Sequence, residues 1–204
     1  MNLMWAPVTF LIAAIPFSVM VGYVAAGVDI RNYGDKNPGA TNVLRATGSK
    51  FWFFVAVNLD ICKGLVPVAL AYWYAGIGGL ELTLIALAAV AGHAFSPFLK
   101  FNGGKAIATS GGVWMAATFF VSGIVQGFLL VYSYFSVESS DWAVVLSCFG
   151  WLLYLLLTRS DMSLLVLWAG NFLILVYKHR TGLRELPEIK RWLPFVSTGI
   201  HTQK

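Results

Sequence analysis

Long apolar runs separated by short, basic, turn-rich segments leave this chain few ways to fold. The runs lie near residues 3–27, 51–77, 79–99, 106–136, 142–158 and 162–177. Each approaches or exceeds the roughly 20 residues that a helix needs to cross hydrocarbon. Lipid leaves backbone groups unsatisfied unless the chain bonds to itself, so such runs fold as helices. Charged residues make up only 11% of the chain, against about 25% in soluble domains. The expected class is an all-α, polytopic membrane bundle, with 1–204 as one domain and no soluble module or internal repeat. The N-terminal run lacks a basic leader region and a small-x-small cleavage site, so it reads as a retained helix. Cys62 and Cys148 lie within apolar runs and read as buried small hydrophobes, with no metal-ligand spacing.

Charge placement sets the topology. Arg31, Lys36, Arg45 and Lys50 fall near 28–50, and Lys100 and Lys105 near 99–105. Lys178, Arg180, Arg184, Lys190, Arg191 and Lys204 fill the tail 178–204. The positive-inside rule puts all three segments in the cytoplasm. The number of crossings between Lys105 and Lys178 must then be even, yet three runs lie between them. The long run 106–136 resolves this as a hairpin turning at Ser122-Gly123. Seven crossings follow, N-terminus outside and C-terminus inside, with segment 136–141 also cytoplasmic. The stretch after Glu185 reads as an interfacial helix anchored by Trp192.

The cytoplasmic segments carry the chemistry. In "RNYGDKNPGATNVLRATGSK", Gly34, Gly39 and Gly48 let backbone amides approach a ligand. Asn37-Pro38-Gly39 is a turn, Thr41 and Asn42 add small hydrogen-bonding groups, and Arg45 offers a fork suited to phosphate. In "GHAFSPFLKFNGGKAIATSGG", Gly103-Gly104-Lys105 precedes a helix and offers amides and a point charge to an anion. A lone GGK lacks the spacing of a nucleotide loop, and His93 taken alone reads as a structural histidine. His179 and Arg180 emerge on the same face. Ser139 or Ser140 in "SVESSD" can join them. Asp60 and Lys63 share a helix face within a crossing. They read as a neutralising structural pair, with substrate contact as the alternative. Neither a Ser-His-Asp nor a two-carboxylate arrangement is evident.

These motifs resemble the bacterial acyl-phosphate:glycerol-3-phosphate acyltransferases along nearly the whole chain. The resemblance rests on "DIRNYGDKNPGATNVLRATGSK", "LDICKG", "GHAFSPFLKFNGGKAIATSGG" and, more loosely, "YKHR". It implies a seven-helix membrane bundle whose site opens to the cytoplasm. The implied reaction moves an acyl group from acyl phosphate to the 1-hydroxyl of glycerol 3-phosphate, giving lysophosphatidic acid and phosphate. The implied partners are those two substrates and membrane lipid, with no metal, cofactor or nucleic acid. Asn37, Thr41, Asn42, Arg45, His93, Gly103, Gly104, Lys105, His179 and Arg180 fall at family motif positions. Arg45 and Lys105 are expected to act electrostatically, and the others, with Gly39 and Ser139, to bind substrate. Three readings of Asp35 stay open: Lys36 offsets it, it turns away, or it acts as a base on the acceptor hydroxyl; Lys36 otherwise and Arg184 have no assigned role. Three departures stand out: Gly34-Asp35-Lys36-Asn37 replaces Gly-Ser-Gly-Asn, Gly182 replaces an asparagine, and Ala13-Ala14 replaces Gly-Ser. The alternatives are an acyltransferase with a changed acceptor or donor, or a non-catalytic lipid- or phosphate-binding protein or transporter.

Overall fold

In the computed structural model, residues 4–158 and 160–190 are described. Their regular structure is helical, apart from one isolated antiparallel bridge between Val137 and Ile189. Helices α1 (Trp5–Ala14) and α2 (Phe17–Ala26) form one apolar stretch of 22 residues, jointed at Pro16. Proline has no amide to continue the ladder. At this joint the Ile15 carbonyl accepts from the Phe17 amide at 3.0 Å and from Lys63 Nζ at 3.0 Å. Helix α3 (Ala40–Thr47) lies in the first polar loop and ends at Gly48, whose φ of 67° suits only glycine comfortably. Ser49 then caps α4 (Lys50–Ala69), which runs on through a π turn to Tyr74.

Helix α5 (Gly79–Ala94) returns beside α4. The run 106–136 divides into α6 (Ile107–Ala117) and α7 (Val121–Ser136), as a hairpin requires. Its turn lies at Thr118–Phe120 rather than Ser122-Gly123, which begin α7 instead. Two successive phenylalanines take up the turn with positive φ, 50° at Phe119 and 70° at Phe120. Helices α8 (Ser140–Leu157) and α9 (Met162–His179) complete the bundle. Among the described residues, five stretches are long and apolar enough to cross a membrane: Trp5–Ala26, Lys50–Tyr74, Gly79–Leu99, Ser140–Leu157 and Met162–His179. This is a multi-pass membrane protein.

Close packing sets where the 11-residue α6 lies. A Cβ at Gly64 would meet the Thr109 carbonyl at 2.3 Å, and one at Gly112 the Ile61 carbonyl at 2.1 Å. Helix α6 therefore starts beside the middle of α4, where the loop before it dips into the bundle. At the other end, Phe119 packs on Trp73 with ring centroids 5.3 Å apart, near the close of α4. Small residues at such interfaces let backbones approach where lipid offers no hydrophobic drive. Gly92 does the same for α1 and α5, since its Cβ would meet the Phe10 carbonyl at 2.2 Å. Trp114 and Trp151 fill the space between α6 and α8 edge to face, centroids 3.9 Å apart. Outward-facing apolar side chains such as Val24, Phe128 and Leu157 leave the bundle an apolar exterior.

Two expectations change. Cys148 is buried as expected, but Cys62 is exposed on the outer face of α4. The segment after Glu185 is extended over 186–190 rather than helical. The Glu138 amide donates to the Glu188 carbonyl at 2.9 Å and the Lys190 amide to that of Ser136 at 3.0 Å, so this strand partner replaces intrahelical bonding. Trp192 lies outside the described residues.

Candidate active site

A cavity of about 280 Å³ opens at the end of the bundle where α4 begins, and the three polar segments line it together. Asp35 to Pro38 come from the first loop, Phe101 to Gly103 and Lys105 from the second, and Tyr177, Lys178, Arg180 and Thr181 from the close of α9. Residues far apart in sequence are thus gathered by the lengths of the helices between them.

The first loop is organised by Asn42, which is 1% exposed. Its amide donates to Asp35 Oδ1 at 3.0 Å and to the Asn37 carbonyl at 2.8 Å, while its Oδ1 accepts from Arg45 Nη1 at 2.9 Å. Asn42 therefore braces the loop from beneath and ties Arg45 to Asp35. Gly39 caps α3 against the Asn37 side chain, and Thr41 is exposed on that helix away from the cavity lining. Lys36 takes φ 59° at the rim, a conformation that costs a side-chain-bearing residue strain. Arg31 is held by Asp29 at 2.6 Å, and this guanidinium keeps the Asp29 carboxyl at about 2.

The glycine loop rests on His93. The Gly104 amide donates to the His93 carbonyl at 3.1 Å, and a Cβ at Gly104 would sit 2.2 Å from the ring's Nε2. His93 is buried and outside the cavity lining. Its Nδ1 lies 3.8 Å from Asp60, which forms a buried pair with Lys63 at 2.8 Å and accepts from Ser18 Oγ at 2.6 Å. Asp60 and Lys63, only 3% and 4% exposed, make a floor beneath the loop rather than a wall of the cavity. Lys178, which the sequence counts only among the cations that set the topology, donates from Nζ to the Ala94 carbonyl at 2.9 Å and the Gly103 carbonyl at 2.8 Å.

Lys105 is the centre of charge. Its Nζ lies 3.3 Å from Asp35 Oδ2 and 2.9 Å from Asp141 Oδ1. Two carboxylates therefore meet at one ammonium, an arrangement not evident in the sequence. Asp141 also contacts His179 Nδ1 at 2.5 Å. Burial pulls the Lys105 ammonium down, but Asp141 and then Asp35 outweigh it and raise it above the usual lysine range. Burial pushes the Asp35 carboxyl up, but Lys105 and the amides of Asn37 and Asn42 together carry it below the usual carboxylate range. Of the remaining expected residues, Ser139 caps α8 by accepting from the Trp142 amide at 3.4 Å, and Ser140 is exposed. His179 is buried, and Arg184 is exposed outside the cavity lining. Arg180 lines the cavity with its guanidinium 4.1 Å from the Tyr177 ring centroid. Asp141 was missed although it closes the quoted "SVESSD". The available signal was a carboxylate in the first turn of a helix starting on the same face as the cations.

Fold and site together define a helical membrane protein with an amide- and cation-lined cavity at one end, adapted to an anionic substrate. Residues 3–188 match the family model of glycerol-3-phosphate acyltransferase, and the chain belongs to that family. A glycerol-3-phosphate acyltransferase of Maridesulfovibrio salexigens is 35% identical over 186 residues, covering 89% of this chain and 91% of that protein. A relative so named in Thermotoga maritima is 35% identical over 198 residues, covering 90% and 97%. Among solved structures, the integral membrane glycerol 3-phosphate acyltransferase PlsY (YgiH) in its glycerol 3-phosphate form is similar, with a TM-score of 0.81 at 28% identity. That match covers 89% of this chain and 90% of the other. The lysophosphatidic acid form of PlsY matches with a TM-score of 0.79 at 27% identity.

Proposed function

We propose that this acyltransferase moves a fatty acyl group from acyl phosphate to the 1-hydroxyl of glycerol 3-phosphate, giving lysophosphatidic acid and phosphate. The observation that carries this reading is the convergence of residues 35–38, 101–103 and 105, and 177, 178, 180 and 181 on one cavity. Acyl phosphate is a mixed anhydride, so the protein need not supply a nucleophile. The acceptor oxygen forms the new ester bond to the acyl carbon as the bond from that carbon to the phosphate oxygen breaks. The hydroxyl proton passes to the departing phosphate, which leaves as a protonated anion.

The protein's task is then to hold two anions together and stabilise the one that leaves. Lys105 and Arg180 take phosphate at the cavity, helped by Lys36 and Asn37 at the rim and by the Gly103 amide, while the Gly104 amide stays with the His93 carbonyl. Arg45 reaches the site by way of Asp35. Asn42, His93 and His179 support these groups from below, and Asp60 with Lys63 supports His93. The single domain crosses the membrane seven times, N-terminus outside, with the cavity facing the cytoplasm. The clustering of cations in the three segments supports that orientation. The contact of Phe119 with Trp73 at the opposite end of α4 supports counting α6 and α7 as two crossings.

The test is phosphate release by purified protein in lipid or detergent, with palmitoyl phosphate as donor, with and without glycerol 3-phosphate. Release that depends on the acceptor and yields lysophosphatidic acid is expected. Binding of the donor without acceptor-dependent release would overturn the assignment of acceptor.

A further inference from the structure

We infer that Asp141 is a positioning residue for this acyl transfer: it holds the Lys105 ammonium at the cavity and fixes the His179 ring, and it can do so only because residue 182 is glycine. The inference rests on the reaction proposed above. Asp141 is the second residue of α8, and its carboxylate reaches from there into the gap between the glycine loop and the end of α9. One oxygen, Oδ1, meets Lys105 Nζ at 2.9 Å and His179 Nδ1 at 2.5 Å. The other oxygen lies 1.9 Å from where a Cβ at residue 182 would stand. Any side chain at 182 must expel the carboxylate, so Asp141 and Gly182 act as one unit.

Lys105 needs such an anchor. Its ammonium is a point charge on a flexible four-carbon stem, and a group stabilising a departing phosphate acts fully only when it is already in place. Its two carboxylate partners differ in kind. The Asp141 side chain is 15% exposed and braced by His179, whereas that of Asp35 is 45% exposed at the cavity lining. An incoming phosphate can therefore replace Asp35 beside Lys105 while Asp141 keeps hold of it. Asp141 also orients His179, whose side chain is 1% exposed, by engaging its Nδ1.

The test compares Asp141→Ala, Asp141→Asn, Gly182→Ala and the double variant Asp141→Ala/Gly182→Ala, each checked for folding by its thermal midpoint. Gly182 does not adopt a positive φ, so the methyl group of Gly182→Ala acts chiefly through the carboxylate, whose Oδ2 and Cγ would lie 1.9 and 2.6 Å from it, with Asp141 Cβ following at 2.9 Å. Displacement of a positioned group by about 1 Å costs on the order of 100-fold in rate. Asp141→Ala and Gly182→Ala should each approach that loss, mainly in kcat. In an Asp141→Ala background, Gly182→Ala should add little, because only the contact between the two Cβ atoms, at 2.9 Å, remains. Asp141→Asn keeps the shape and should retain part of the rate, which separates positioning from collapse.

A second readout needs no turnover: acetylation of Lys105 by acetic anhydride, located by mass spectrometry. Removing the anchoring carboxylate lowers the ammonium's pKa and frees it. Lys105 should therefore react several-fold faster in Asp141→Ala and Gly182→Ala, with no further gain in the double variant. Unchanged Lys105 reactivity in both single variants would overturn the inference, as would losses of rate that multiply in the double variant. A wild-type protein without acceptor-dependent transfer, but with the expected pattern of reactivity, would instead overturn the proposed reaction and leave the Asp141–Gly182 unit standing.

Discussion

Lys105 is the residue at which charge, position and chemistry meet. If Lys105 and Arg45 stabilise the departing phosphate, Lys105→Ala and Arg45→Ala should each cost at least ~100-fold in kcat/KM, read by phosphate release. Near-wild-type turnover in both variants would remove them from the mechanism. The pH dependence has a defined sign. Asp35 is depressed below its ordinary 3.8, so its pairing is intact above that value and is lost only as pH falls through the lower folded value. Lys105 is raised above its ordinary 10.5, so its pairing is intact below that value and is lost as pH rises through the higher one. Neither group changes charge between about pH 5 and 9. The rate should climb near pH ~6, where a substrate phosphate takes its second charge, and then stay level to pH 9. A fall between 7 and 9 would show that another group governs the reaction.

Elements show which parts of the site could be read in sequence and which could not. Glycines before and within the motifs marked the loops, and local turn chemistry kept them there: Gly39 caps α3, and Gly104 packs on His93. The hairpin in 106–136 followed from charge parity, but its turn did not, because Phe119 and Phe120 adopt positive φ without any turn-forming residue type. Asp141 and Lys178 escaped because their partners are reached only through tertiary packing: Lys105 on the glycine loop, and the Ala94 and Gly103 carbonyls. The pairing of Asp60 with Lys63 was legible from helical spacing alone, though Ser18 and His93 beside it were not. That pair carries a stability prediction. Asp60→Asn leaves Lys63 buried with its charge uncompensated, which costs about 3 kcal/mol and should lower the thermal midpoint by roughly 10 °C. Asp60→Asn with Lys63→Met removes both charges and should recover most of that loss. Equal midpoints for the single variant and the wild type would mean that the pair contributes nothing to the bundle.

For the whole molecule the open quantity is the number of crossings, and the termini cannot supply it. Five long apolar stretches among the described residues give an odd count, and adding α6 and α7 gives another odd count, so both put the two termini on opposite sides of the membrane. Only the turn between α6 and α7 distinguishes them. Helix α6 alone is too short to span, at about 16 Å for 11 residues. It begins beside the middle of α4, however, and ends where Phe119 meets Trp73, so in a seven-crossing bundle it would have only the remaining depth to cover. The recessed loop that carries Lys105 would cover the rest, which would make the short helix and the sunken site two results of one packing arrangement. With Cys62 and Cys148 replaced by serine, single variants Lys50→Cys, Glu138→Cys, Gly78→Cys, Phe119→Cys and Ser160→Cys can be treated with a membrane-impermeant maleimide in intact cells. Seven crossings predict labelling at 78, 119 and 160 and protection at 50 and 138 until the membrane is opened. Protection at 119, with 78 and 160 still labelled, would mean that α6 and α7 enter and leave from the cytoplasmic side and that the bundle crosses five times.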